Sequence, residues 1–431
     1  MTARLGMAVR IRPWWVSMHL PADIARVLRG VRVGARLSMA AALSLSALAQ
    51  AEEPVRADLH VHVVMRDSLK PFFQGESGRG ALATRPSSLL INQVDTADLA
   101  RAHVRVVVAS LWPPFAVRPG RSGKDNVLVL LERLRAFVSR HPEVGWADNA
   151  RAARSRLARG QLAFIPAVEG GEGISSVADV DAYYAAGVRL LTVLHMQDSR
   201  LGGAAANQVG HAFGLSAQGP NSQGLTALGR DVVRRMMQLG MMVDVAHASD
   251  VAADEILSLA EAAGVPVLDT HAGARAFVDV ERNVTDARAA RIARGGGMVG
   301  TTLFRDFVLE VPPGSQWPGF GADSCDDVVA HWAHLAQAAG AEAIALGSDW
   351  NGMARRPGVG GSCPQGLRST ADLPALYDAL AAHGLPTAAL DSSGERLLEL
   401  WDRVEAKADP RAQAEARRSA SHPAGAFDIA L

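Results

Sequence analysis

Seven side chains in this sequence have the chemistry to hold a divalent metal ion: His60, His62, Glu169, His195, His247, His271 and Asp349. His60 and His62 flank Val61, and on a strand alternate residues face one side, so the two imidazoles are aimed together. The other five stand singly at the ends of short apolar runs. The chain has 13 histidines in 431 residues, and each alone reads as a packed core histidine. Five of them at strand ends, joined by two carboxylates, read instead as one metal site. Imidazole and carboxylate donors suit zinc and similar divalent ions. A shared carboxylate can hold two such ions about 3.5–4 Å apart, and Glu169 is the candidate bridge. A carboxylated lysine is the alternative bridge, but Lys70, Lys124 and Lys407 all lie off the candidate strands.

These residues meet only if the runs that carry them form one sheet. Candidate strands cover 57–63, 104–111, 162–168, 188–194, 241–246, 266–270, 297–303 and 343–347. Helical patterns separate them. Within 225–240, Val232, Val233, Met236 and Met237 make an apolar stripe that Gly240 is placed to end; Ser249 and Gly264 can cap and close the next helix. Several strands are continuously apolar, as expected when helices cover both faces of a parallel sheet. Unbroken β/α alternation predicts a (β/α)8 TIM barrel, and the candidate metal residues at its strand ends make the metal-dependent hydrolase type the expectation. An open doubly wound sheet is the alternative, weakened because no Gly-x-Gly-x-x-Gly follows the first strand. Irregular stretches at 66–93 and 199–224 leave strand ends and are candidate substrate loops.

Composition narrows the class. The formal net charge is +0, which leaves no overall basic footprint for nucleic acid. Arg26, Arg29, Arg32 and Arg36 precede an apolar run over 37–48 and then Ala49-Gln50-Ala51, the order of an export signal. Cleavage is expected before Glu52, giving a secreted or periplasmic protein, with Met18 as an alternative start. An amphipathic N-terminal helix is the competing reading. Residues 1–51 are accordingly read as signal and extension, 52–405 as a single metallohydrolase domain, and 406–431 as a tail. Cys325 and Cys363 flank the last candidate strand and are either one disulfide or two thiols.

Several ordered segments resemble a known family. They are Ala167-Val168-Glu169-Gly170-Gly171, Gly187-Val188-Arg189-Leu190-Leu191-Thr192 leading to His195, Gly224-Leu225-Thr226, and Val243-Asp244-Val245-Ala246-His247. Thr270-His271, Arg282-Asn283-Val284-Thr285-Asp286, Gly347-Ser348-Asp349 and Gly394-Glu395-Arg396-Leu397-Leu398 follow. Between Asp58 and Trp401 the chain resembles the renal (membrane) dipeptidases, the M19 peptidases. The resemblance implies that His60, His62, Glu169 and Asp349 surround one ion and that Glu169, His247 and His271 hold a second. It implies that His195 steadies the oxyanion, that Arg282 binds the substrate carboxylate, and that Asp349 carries a proton from bridging water to the leaving amine. Asp244 is a supporting carboxylate in this reading. His331 and His334, three apart on a helical stretch, are read as helix surface or packing.

The chain departs from the family pattern where it matters. His62 stands where many members have aspartate, Glu172 where histidine is usual, and Asn351 where an acid usually follows the Asp349-Trp350 pair. The expected function is therefore an exported, zinc-dependent dipeptidase-like hydrolase with a small-molecule substrate, attacking through a hydroxide between two metal ions. A metal-dependent amidohydrolase for N-acyl amino acids or lactones, and a binding protein with a drifted site, are the alternatives. A homodimer follows only by analogy with the family.

Overall fold

The computed structural model describes residues 53–64, 93–112, 123–171, 173–205, 220–308, 325–352, 367 and 369–420. Residues 1–52, Glu172, Cys363, Lys70 and most of the two candidate substrate loops lie outside the described residues, as does the side chain of Cys325.

Among the described residues nine strands run in chain order: β1 (Arg56–Val61), β2 (Val104–Leu111), β3 (Val144–Trp146), β4 (Leu162–Glu169), β5 (Leu190–Thr192), β6 (Met242–Asp244), β7 (Val267–Ala272), β8 (Met298–Thr302) and β9 (Ile344–Gly347). All pair in parallel, and β2 pairs with both β1 and β4 while β9 pairs with β1. The ring β1-β2-β4-β5-β6-β7-β8-β9 therefore closes as a TIM barrel. The eight strands expected from sequence form it, with shifted ends. The ninth, β3, is three residues long and pairs only with the start of β4. A run that short has no periodicity to read.

The intervening helices obey their termini. Helix α1 (Ala227–Leu239) starts at Thr226, whose side chain accepts from Gly229 N, and buries Val232, Val233, Met236 and Met237. It stops at Gly240, whose φ of 71° is left-handed and favours glycine. Helix α2 (Asp250–Ala263) is capped by Ser249 and closed by Gly264. Both β4 faces are buried along its whole length, which explains why the run Leu-Ala-Phe-Ile-Pro-Ala-Val has no polar alternation. Helix α3 (Pro410–Ala420) buries Ala412 and Ala416 and lies against α1 and the helix Val177–Ala185.

Two irregularities lie where the imidazoles are carried. Asp58 and Val61 of β1 pair with Val107 and Ala109 of β2, so β1 holds one residue more than its neighbour over this stretch. Asp269 and Ala272 of β7 likewise pair with Val299 and Thr301 of β8. Each is a bulge, and a bulge re-aims side chains that strict alternation would send apart. On β7 it brings Thr270 and His271 to the same cluster, since Thr270 Oγ1 lies 3.2 Å from His60 Nδ1 and His271 Nε2 lies 3.3 Å from Glu169 Oε1. Room for it comes from glycines. A Cβ on Gly300 would sit 1.9 Å from the Thr270 carbonyl oxygen, and one on Gly347 would sit 2.0 Å from it.

Closure between β1 and β9 rests on side chains as much as on the ladder, which pairs Asp58 with Leu346. Asp58 Oδ1 accepts from His60 N at 3.1 Å and from Ser348 N at 2.9 Å. Backbone bonds from Asp349 N to His60 O (2.9 Å) and His62 N to Trp350 O (3.0 Å) continue the seam.

Gly347→Ala is expected to cost about 1–3 kcal/mol, the usual range for overpacking. Urea unfolding monitored by far-UV circular dichroism measures it, and an unchanged midpoint would mean that β7 and β9 separate freely.

Candidate metal centre

The centre is organised around one carboxylate. Glu169, the last residue of β4, is 3% exposed. Its Oε1 lies 3.4 Å from His60 Nε2, 3.4 Å from His195 Nε2, 3.1 Å from His247 Nε2 and 3.3 Å from His271 Nε2. Its Oε2 lies 3.2 Å from His62 Nε2, which is also 3.3 Å from Asp349 Oδ1. Two pairs of imidazoles face one another nitrogen to nitrogen, His60 with His62 at 3.1 Å and His247 with His271 at 2.9 Å. The donor atoms form three overlapping groups: His60, His62 and Glu169; Glu169, His247 and His271; and His60, His271 and Asp349. The structure thus brings all seven sequence candidates together.

The chemistry of these donors fits divalent metal. Ligands about 2.0–2.2 Å from a tetrahedral ion stand roughly 3.3 Å apart, which is the spacing found here. Without a cation, facing ring nitrogens and carboxylates are tolerated only by holding protons. Burial alone would pull His62 down, but the carboxylates of Asp349 and Glu169 override it and raise its pKa to about 9. Burial likewise works against an ionised Glu169, yet the surrounding imidazoles, His195 and His60 foremost, hold it well below the usual carboxylate value. His247 and His271 are pushed well below theirs, first by burial and then by neighbouring positive groups including Arg282. Both shifts favour the neutral imidazole, the form that ligates metal.

Two candidate residues occupy strained backbone. His247 has φ 66° and Asp349 φ 55°, both left-handed, at an order of 1–3 kcal/mol each. Each lies just beyond its strand, on the turn that carries it back over the barrel mouth. Gly352 leaves room for this, since a Cβ there would meet Asp349 Oδ1 at 2.1 Å. Asn351, also left-handed at 64°, accepts from Gln93 N at 2.8 Å and braces the turn.

Arg282 is 4% exposed and lies behind His271, donating from Nη2 to the His271 carbonyl, with its guanidinium 5.1 Å from the Phe307 ring centre. Its Nε and Nη1 have no partner among the described residues. Burial lowers its pKa, against the attraction of Asp269, Asp244, Glu169 and Asp349. The loop that carries it is fastened on both sides. Glu281 accepts from Asp250 N and Asn221 N, Arg275 pairs with Asp250, and Asn283 bonds Gly273 N and the Val278 and Phe307 carbonyls.

Other groups surround the donors or stand apart from them. Asp58 is two residues before His60 on the same alternation, and it holds the β1–β9 seam; burial raises its pKa to about 6. Trp112, at the end of β2, stands edge-on to the His195 ring with centres 5.2 Å apart. Asp244 touches none of the imidazoles; it accepts from the Thr192 and Thr270 hydroxyls at 2.6 and 2.7 Å. His331 is packing: its Nδ1 accepts from Ala274 N at 2.8 Å and its Nε2 donates to Val308 O at 3.1 Å. His334 pairs with Asp286.

Known proteins resemble this chain in family and in fold. The profile of the membrane dipeptidase family (peptidase family M19) matches residues 62–415. The chain is similar to an uncharacterised dipeptidase of Schizosaccharomyces pombe, 33% identical over 215 residues, covering 50% of this chain and 47% of that protein. It is similar to dipeptidase 3 of Mus musculus, 29% identical over 291 residues, covering 67% and 53%. The chain thus spans about half the length of these curated relatives. Among solved structures, an M19 metallo peptidase, dipeptidase AC, superposes with a TM-score of 0.63 at 22% identity over 82% of this chain and 99% of that one. A metallo peptidase from Rhodobacter sphaeroides, liganded with a phosphinate mimic of the dipeptide L-Ala-D-Ala, superposes at 0.62 with 21% identity over 82% and 100%. At these identities the likeness is one of fold.

Metal uptake by the metal-free protein is expected to release protons at pH 7, because His62 must give up its proton to ligate. Apparent affinity should climb with pH and level off above about 9. The metal-free protein should also lose stability as pH rises from about 6.5 to about 9, since a raised histidine stabilises the fold only while protonated. Zinc titration in weakly buffered solution and thermal melts across this range measure both effects; pH-independent uptake would show that His62 is not a ligand.

Proposed function

The chain belongs to the membrane dipeptidase family, peptidase family M19, and from that premise we propose that it hydrolyses the amide bond of dipeptides carrying a free C-terminal carboxylate. One observation carries the reading: the buried Glu169 carboxylate is shared by two imidazole pairs, and Arg282, held through Nη2 on the His271 carbonyl, keeps Nε and Nη1 without a partner among the described residues. His60, His62 and Asp349 with Glu169 would hold one divalent ion, and Glu169, His247 and His271 the other; zinc suits both sets. When bound, such ions polarise a carbonyl and make water acidic near neutral pH.

The protein's own groups do the rest. Arg282 Nε and Nη1 bind the substrate carboxylate, a fork that matches two oxygens at once. The His195 ring, set against Trp112, faces the amide carbonyl and steadies the charge that develops on its oxygen. Asp349 accepts the proton of the attacking water on a carboxylate oxygen and returns it to the departing amine. Its left-handed backbone keeps that carboxylate over the barrel mouth. His62 in place of an acid leaves the loaded centre more positive, which favours an anionic substrate. The order of residues 26–51 supports export, so that the substrate would be met outside the cytoplasm.

The phosphinate mimic held by the Rhodobacter sphaeroides relative makes L-Ala-D-Ala a suitable first probe. The purified chain is expected to carry two zinc-type ions by elemental analysis and to hydrolyse L,L- and L,D-dipeptides in a chelator-sensitive way. Arg282→Ala should lower kcat/KM on free-acid dipeptides by roughly 30- to 3,000-fold, the equivalent of about 2–5 kcal/mol for truncating one side of a buried charge pair. C-terminally amidated dipeptides should be nearly unaffected. Asp349→Asn should lower kcat about 10²–10⁴-fold. Turnover of N-acyl amino acids without dipeptides would move the assignment to another amidohydrolase. Absence of both metal and turnover would overturn it.

A further inference from the structure

Thr270 lies between Asp244 and the centre. Its hydroxyl oxygen is 2.7 Å from Asp244 Oδ2, 2.9 Å from His271 Nδ1 and 3.2 Å from His60 Nδ1. His60 groups with His62 and Glu169, His271 groups with Glu169 and His247, and the two rings share a third group with Asp349. The two rings lie side by side, centres 3.8 Å apart and tilted by 36°. Each spans from this one oxygen to another, Glu169 Oε1, at 3.4 and 3.3 Å.

A hydroxyl has one proton to donate and two lone pairs to accept with. The Asp244 carboxylate already accepts from the Thr192 hydroxyl at 2.6 Å and from Ala246 N and Thr270 N on its other oxygen. The Thr270 proton is therefore committed to Asp244, and only lone pairs remain for the imidazoles. Both rings must then present N–H at Nδ1, which leaves the Nε2 lone pair of each pointing into the centre. Ser110 Oγ, 3.2 Å from His60 Nδ1, can share that proton, whereas the Thr270 oxygen alone among the described hydroxyls bonds both rings.

We propose that Thr270 is a positioning residue that fixes the tautomer of one imidazole in each half of the centre, through a single hydroxyl oriented by Asp244, so that the two metal positions are prepared together. The inference rests on the reading that the centre takes two ions. The sequence hides it, because Thr270 precedes His271 and strict strand alternation would send them to opposite faces; the β7 bulge brings both inward.

Thr270→Val keeps the shape and removes the hydroxyl. In zinc competition against a chelator, it is expected to weaken both ions by about 10–100-fold, the usual cost of losing a hydrogen bond behind a ligating histidine, and Thr270→Ser is expected to restore both. Weakening of only one ion, or of neither, would overturn the shared role. A wild-type chain that takes up no zinc would instead overturn the metal reading itself. Nitrogen-15 NMR of histidines in the metal-free wild-type protein tests the proposal even if the valine variant fails to fold. His60 and His271 should both carry their proton at Nδ1, and an unprotonated Nδ1 on either ring would exclude the mechanism.

Discussion

The interaction on which the structure depends is the buried carboxylate of Glu169 among five imidazoles. One anion in a dry interior is costly unless positive or donating groups compensate it. Here the compensation comes from four separate segments, at β1, on β7 and on the turns after β5 and β6. Each must arrive within 3.4 Å of the same two oxygens. That requirement ties the site to the closed barrel, because the ring of strands that buries Glu169 also carries the groups that compensate it.

Two buried aspartates hold the outer frame in parallel ways. Asp58 accepts the N–H two residues ahead and one from the neighbouring β9 turn; Asp244 accepts the N–H two residues ahead and one from β7. Both substitute a side chain for a missing rung of the ladder where a strand ends early and turns over the mouth. The left-handed turns at His247 and Asp349 begin close to these staples. Strain of that kind persists only where the surroundings over-determine it, and each aspartate supplies part of the over-determination.

Much of this was legible in the sequence. The eight barrel strands announced themselves as apolar runs because both faces of each are covered, and the helix ends at Gly240 and Gly264 followed from the need for left-handed backbone. The seven donor residues were found because their types are rare at strand ends. What stayed hidden depends on register. Nothing in the order Asp269-Thr270-His271 says that an extra residue is absorbed there, so Thr270 read as a neighbour rather than a participant. Arg282 had no signal of its own: its place behind His271 comes from Glu281, Arg275 and Asn283, which tie down the loop through backbone groups that no side-chain pattern reveals. β3 was missed because three residues cannot show a period.

The contact of the Thr270 carbonyl with Gly300 and Gly347 has a consequence for the residues those positions accept. Three positions on three strands occupy one space, and adding a single carbon at either glycine closes it. While the bulge carries the Thr270 carbonyl into this space, any side chain at either glycine costs stability. The layer beneath the centre thus restricts substitution through a main-chain atom, whatever side chain stands at 270.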